Sequence, residues 1–146
     1  MLAQNLIGAA VFCLSILVSS AFIGLHFAII DRCRGWVGTR HRWARFALAL
    51  SAILLSMILV LSLSAWIWAG VFLYIGEFRT FEEAVYFSMV AFTTLGFGDV
   101  LISQEWRLLS GIAAANGLIL FSLMTAVLFE FVASVRSLAN TTPAKQ

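Results

Sequence analysis

Three long stretches of this chain contain no Asp, Glu, Lys or Arg: residues 1–30, 46–75 and 108–129. Each is long enough for a helix to cross a hydrocarbon core of about 30 Å, which takes roughly 20 apolar residues. The arrangement therefore predicts three membrane helices. A fourth apolar stretch, residues 84–97, is too short to cross and reads as a re-entrant segment or a buried helix. The first stretch lacks the basic start of a secretory leader and outruns the ~7–15 apolar residues of its core, so it reads as a membrane helix.

The second stretch would make about 45 Å of helix at ~1.5 Å per residue, more than the bilayer needs. It must tilt or project beyond the membrane at its later end. Trp66, Trp68 and Tyr74 gather there, as an interfacial aromatic belt or as packing against a neighbouring helix. After Gly76 the character changes. Thr80-Phe81-Glu82-Glu83 has capping-box spacing, with Thr as N-cap and Glu at N3, and two acids at the positive end of the helix dipole. A short helix is expected over residues 81–92, roughly 18 Å long at ~1.5 Å per residue. That length suits a segment that enters the membrane halfway and returns. Non-helical backbone at such a depth must be buried by protein or line water.

Composition agrees: 62% of the residues are hydrophobic and 11% charged, with a mean hydropathy of +1.02. A soluble domain of this size would need a charged surface this chain does not have. The net charge of +2 says little, but its distribution does. Arg32, Arg34, Arg40, Arg42 and Arg45 crowd residues 31–45, and Arg136 and Lys145 follow the third stretch. Between the second and third lie only Arg79 and Arg107, among five acids. Basic residues mark the cytoplasmic side of a cell (plasma or inner) membrane. The expected topology has the N-terminus outside, residues 31–45 as a basic cytoplasmic loop, and the C-terminus inside. The arginines anchor lipid headgroups. Cys13, read as buried at membrane depth, and Cys33 lie too far apart along one helix to pair. Residues 137–146 read as a disordered tail, and no internal repeat or soluble domain stands out.

Candidate chemistry is concentrated in Thr93-Thr94-Leu95-Gly96-Phe97-Gly98-Asp99. A dehydrated cation needs oxygens in place of its water, and backbone carbonyls supply them if successive ones face one axis. An ordinary strand alternates its carbonyls, so the backbone must alternate right- and left-handed dihedrals. Glycine takes the left-handed positions without the roughly 1–2 kcal/mol that other residues pay. Gly96 and Gly98, two apart, fit that alternation. Alone, they fit a turn between helices equally well.

The whole motif resembles the selectivity filter of potassium channels, usually T-T-V-G-Y-G-D. The resemblance covers about residues 48–136. Tyr86-Phe87-Ser88 resembles the family's pore-helix positions, Trp106-Arg107-Leu108 the start of its inner helix, and Gly117 its hinge glycine. It implies an all-α integral membrane protein with the potassium-channel pore fold over residues 46–136: outer helix 46–75, pore helix 81–92, filter 93–99 and inner helix 106–135. The helix over residues 1–30 is extra to that fold. The implied filter is Thr94, Leu95, Gly96, Phe97 and Gly98, with K+ held by the carbonyls of Thr94 to Phe97 and the Thr94 hydroxyl beneath them. Leu95 and Phe97 would point their side chains away from the axis into surrounding helices. Thr93, Asp99, Tyr86 and Phe87 would support the filter and outer mouth, with Tyr86 a candidate partner for Asp99. Gly117 and Gly111 are candidate gating hinges, although membrane helices also use glycine for close packing. Asn116 and Thr125 are expected to line the cavity or to bond a neighbouring helix.

Leu95 stands where Val is commoner, and Phe97 replaces the usual Tyr. The lost hydroxyl often bonds a pore-helix Trp, a position Phe87 occupies here, so donor and partner are both absent. Glu130 could ring the cytoplasmic mouth but reads better as a partner of Arg136, and His26 as an interfacial residue. One filter strand per chain implies a homotetramer. The expected function is passive, potassium-selective conduction; a weakly selective monovalent cation channel is the alternative. Expected partners are three further copies, membrane lipids and K+ as the bound and transported ion. No other cofactor, no nucleic acid and no enzyme activity are expected, since no nucleophile–base pair or metal cluster stands out.

Overall fold

A computed structural model of the chain describes residues 2–37 and 42–141. It is all helical, in the order α1 (Leu2–Val37), α2 (Arg42–Tyr74), α3 (Phe81–Phe92) and α4 (Arg107–Thr141). Three of these contain segments long and apolar enough to cross a membrane: Gln4–Ala28, Phe46–Tyr74 and Arg107–Arg136. The helices outrun their apolar segments. Residues 31–37, expected in a basic loop, continue α1, and residues 42–45 begin α2. The expected tail is helical to Thr141; Lys145 and Pro143 lie outside the described residues. The reason is physical: charge ends a span because lipid rejects it, but Arg is a good helix former and does not end a helix.

Helix contacts set the register. A Cβ on Gly8 would meet Ile112 Cδ1 at 2.6 Å and Leu109 Cδ1 at 3.2 Å. Further along, Ser19, Phe22, Ile23 and His26 face Leu120, Leu123, Met124 and Val127 around one small cavity. α1 and α4 therefore run parallel, and Gly8 permits their closest approach. In lipid such close packing, rather than exclusion of water, holds helices together. Helix α2 runs antiparallel to both: Phe46 stacks on Phe131 at 5.8 Å, and His26 Nε2 bonds Ser56 Oγ. Two apolar clusters result. One, around Trp68, Phe72, Phe78, Phe87 and Phe92, seats α3. The other, around Met57, Val60, Met124 and Phe131, closes the opposite end.

The aromatics near the end of α2 divide their work: Trp68 is fully buried, whereas Trp66 and Tyr74 are exposed. Cys13 is exposed on the outer face of α1, not buried. Glu130 and Arg136 form no ion pair among the described residues, and both are exposed. Six positions along a helix place them on different faces.

Candidate functional site

The site is built from α3 outward. Thr80, at φ −122° and ψ 150°, caps α3 by accepting the Glu83 N–H at 3.2 Å. The helix begins where the capping spacing predicts. Phe87 then locks it onto α2, with its ring 5.2 Å from Phe72 and 5.1 Å from Phe78. This seats Phe87 against α2 and against Phe78 in the loop that follows it.

At its other end α3 closes with Thr93 N–H donating to Met89 O, Thr94 N–H to Ala91 O and Leu95 N–H to Val90 O, at 3.0–3.1 Å. The Thr93 hydroxyl donates to Met89 O at 2.9 Å. The chain then turns into an extended segment against the negative end of the α3 dipole. Here φ is +54° at Thr94, +56° at Gly96 and +78° at Gly98. Every second residue is left-handed, which is the condition for successive carbonyls to face one side. Thr94 is the only described non-glycine residue with positive φ. A β-branched residue there is strained, and no sequence signal predicts it, since Thr disfavours that region. Its hydroxyl donates to Thr93 O at 2.7 Å.

The far end of the segment is tied back. Tyr86 Oη donates to Asp99 Oδ2 at 2.6 Å, the contact considered for this pair from sequence. The bond holds the Asp99 carboxyl below its usual range, helped by the N–H of Val100, and raises the Tyr86 hydroxyl above its usual value. Beyond Asp99, the Glu77 carboxylate accepts from Ser103 N–H at 2.8 Å and from its hydroxyl at 2.7 Å. The Gln4 amide bonds Glu105 O, joining α1 to the same loop. No motif announces these clips, because their partners are far apart in sequence.

Helix α4 supports the segment from below. A Cβ on Gly117 would lie 2.5 Å from both Cα and O of Phe92, so Gly117 is where α4 touches the backbone end of α3. Gly111 is exposed with nothing near it, and α4 is continuous through both. The two polar candidates on α4 separate. Asn116 is fully buried among the helices of one chain, which removes it from the lining of any open cavity. Thr125 is exposed, on a stripe with Gly111, Ala115, Leu118, Ser122 and Phe129. Ser122, which sequence reasoning missed, shares the face of Thr125 at i+3 spacing. Both hydroxyls donate to the carbonyl four residues back, at 2.8–2.9 Å, leaving oxygen lone pairs outward. All of residues 93–99 are exposed, so the Leu95 and Phe97 side chains, expected among surrounding helices, are uncovered by their own chain.

Two membrane-crossing helices flanking a capped half-helix and a left-handed-alternating return define a pore-forming membrane protein. The family described as ion channel matches residues 56–134, more than half of the chain. The chain belongs to this ion-channel family, the two-span pore family that its Thr93–Asp99 motif resembles. No curated protein matches the chain significantly, and no solved structure does.

Proposed function

We propose that the chain is one subunit of a potassium-selective channel, in which four copies bring residues 94–98 together around a shared axis. The observation that carries this reading is the positive φ at Thr94, Gly96 and Gly98. Four such strands would present rings of carbonyls in place of a cation's hydration shell. Support comes from the surface: Leu95 is 56% and Phe97 66% exposed in one chain, so neighbouring subunits would cover them. The α4 stripe with Ser122 and Thr125 would then line the path on the inner side, and the acids Glu77, Asp99 and Glu105 would lie at the outer mouth. The distribution of the arginines supports a topology with the N-terminus outside and the C-terminus in the cytoplasm. Asp99, kept ionised by Tyr86, would concentrate cations at the entrance.

A weakly selective cation channel is the second reading, favoured by Phe97. It has no hydroxyl to anchor, and Phe87 is engaged with Phe72 and Phe78 instead. Reversal potentials under potassium/sodium bi-ionic conditions separate the two.

The direct test is rubidium uptake into liposomes containing the purified protein, with barium as blocker. At φ +56°, Gly96→Ala places a Cβ in the left-handed region at a cost of about 1–2 kcal/mol per subunit. Barium-sensitive uptake is expected to fall to background in that variant. Undiminished uptake would remove the filter from these residues.

A further inference from the structure

A mostly apolar cavity opens where α3 passes into the filter segment. Its volume is ≈ 130 Å³, about ten times the room one water needs, and its walls are mainly Ile58 and Leu61 of α2, Met89 and Phe92 of α3, Thr93, and Phe121 of α4. The rim is open, since Ile58 and Phe121 are exposed. An empty hole forfeits the dispersion contacts of every atom that lines it. In lipid, where close packing and not the exclusion of water draws helices together, that loss matters most.

Helix α4 carries a side chain that matches the hole, but on its other flank. At about 100° per residue, the exposed stripe from Gly111 to Phe129 marks one direction on the helix. Phe121 lies about 80° to one side of it, the side on which Gly117 meets α3. Ile119 lies about 80° to the other side, at nearly the same depth, and is exposed. Helix α1 packs beyond it, on Ile112, and leaves Ile119 bare. A hole on one flank and an exposed aliphatic side chain on the other, level with each other, are the two halves of a head-to-tail contact. Repeated about an axis that the stripe faces, such contacts close into a ring.

We infer that Ile119 of each copy seats in the cavity of the next, against its Thr93. This rests on the four-copy reading proposed above and names a contact by which one copy acts on the filter of another. Ile119 carries no polar side-chain atom, in keeping with the walls that receive it. Thr93 is the residue through which α3 hands over to residues 94–98, and its N–H and hydroxyl both donate to Met89 O. Met89 is itself a wall of the cavity. Filling the hole therefore braces the turn at which Thr94 takes its strained left-handed conformation. Each filter strand is then held by its neighbour as well as by its own chain. A lipid tail is the other occupant that an open apolar hole in a bilayer admits.

Paired cysteines test this. The full-length protein, with Cys13 and Cys33 replaced by Ser, carries Met89→Cys together with Ile119→Cys. It is oxidised in liposomes with copper phenanthroline, then fully denatured before electrophoresis. Each chain offers one cysteine to the copy before it and the other to the copy after it, so the expected product is a ladder of two, three and four linked chains. A single variant, with one cysteine per chain, should give no ladder. Leu61→Cys with Ile119→Cys reaches the same cavity from α2; it should give the ladder as well, and it decides the matter if the Met89 pair fails to fold. No linked chains, or a product that stops at two, in a protein that native mass spectrometry finds as a four-copy species overturns the contact and leaves the cavity to lipid. A monomeric mass overturns the shared axis itself and the contact with it, so the two failures read differently.

Discussion

A methyl group at position 117 has nowhere to go, since its two nearest neighbours are backbone atoms of Phe92 at 2.5 Å. Backbone yields less readily than a side-chain tip. Gly117→Ala is therefore expected to destabilise the protein by about 1–3 kcal/mol, the usual cost of overpacking, read as a lower Tm in detergent. Gly111 has open space around it, so Gly111→Ala should be neutral or mildly stabilising, in line with helix propensity. Equal effects of the two would mean that α4 does not rest on α3 at this point. Sequence reasoning paired these glycines as hinges because spacing shows where a helix could bend, whereas only the neighbouring backbone shows which glycine bears a contact.

Tyr86 and Asp99 carry a pH dependence whose sign follows from one bond. The Asp99 carboxyl is lowered by the Tyr86 hydrogen bond, so the contact is fully present above the ordinary carboxylate value of about 3.9. It is lost as pH falls through the depressed folded value. On the alkaline side the Tyr86 hydroxyl is raised, so the contact persists at its ordinary pKa of about 10 and is lost at higher pH. Tyr86→Phe should move the Asp99 midpoint up toward the ordinary value, followed by NMR of carbon-labelled aspartate. A midpoint that stays put would show that the bond does not control the carboxyl.

Helix α3 has 12 residues, a length at which isolated helices are marginal in water. Its cap and its aromatic seat therefore matter more than its propensity. Only half of the expected capping box forms: Thr80 accepts from Glu83 N–H, while the Glu83 side chain makes no return bond. Thr80→Ala should cost about 1 kcal/mol and Thr80→Ser very little, measured as unfolding midpoints. An alanine variant as stable as the serine one would show that α3 is held by the Phe72–Phe78–Phe87 cluster alone. The start of α3 was legible because a cap is local chemistry within four residues. Where α1 ends and α2 begins was not, because the apolar limits of a span and the hydrogen-bonding limits of a helix are set by different physics.

A single chain leaves residues 93–99 and the Gly111–Phe129 stripe of α4 open. If four subunits close over them, native mass spectrometry should find a species of four times the 16.0 kDa chain mass. Thr125→Cys, in a background with Cys13 and Cys33 replaced by Ser, should form disulfide-linked dimers on oxidation. A monomeric mass together with no cross-link would sink the shared axis and the carbonyl rings with it.

Much of the architecture was already written in the order of residues. Three charge-free runs specify crossings because lipid excludes charge, and Thr80 with Glu83 specifies a helix start because the cap lies within one turn. Gly96 and Gly98 mark left-handed backbone because only they take it freely. Other features came into being only when helices met. Asn116 became a buried amide, Gly117 a backbone contact, and Ser122 a partner of Thr125 on one face. Thr94 adopted a conformation its own chemistry disfavours. These depend on which distant atoms lie opposite, and on bonds such as Tyr86 to Asp99 that gather strength only once folding has fixed both ends. Local preference is encoded one residue at a time; proximity between helices is a property of their packing.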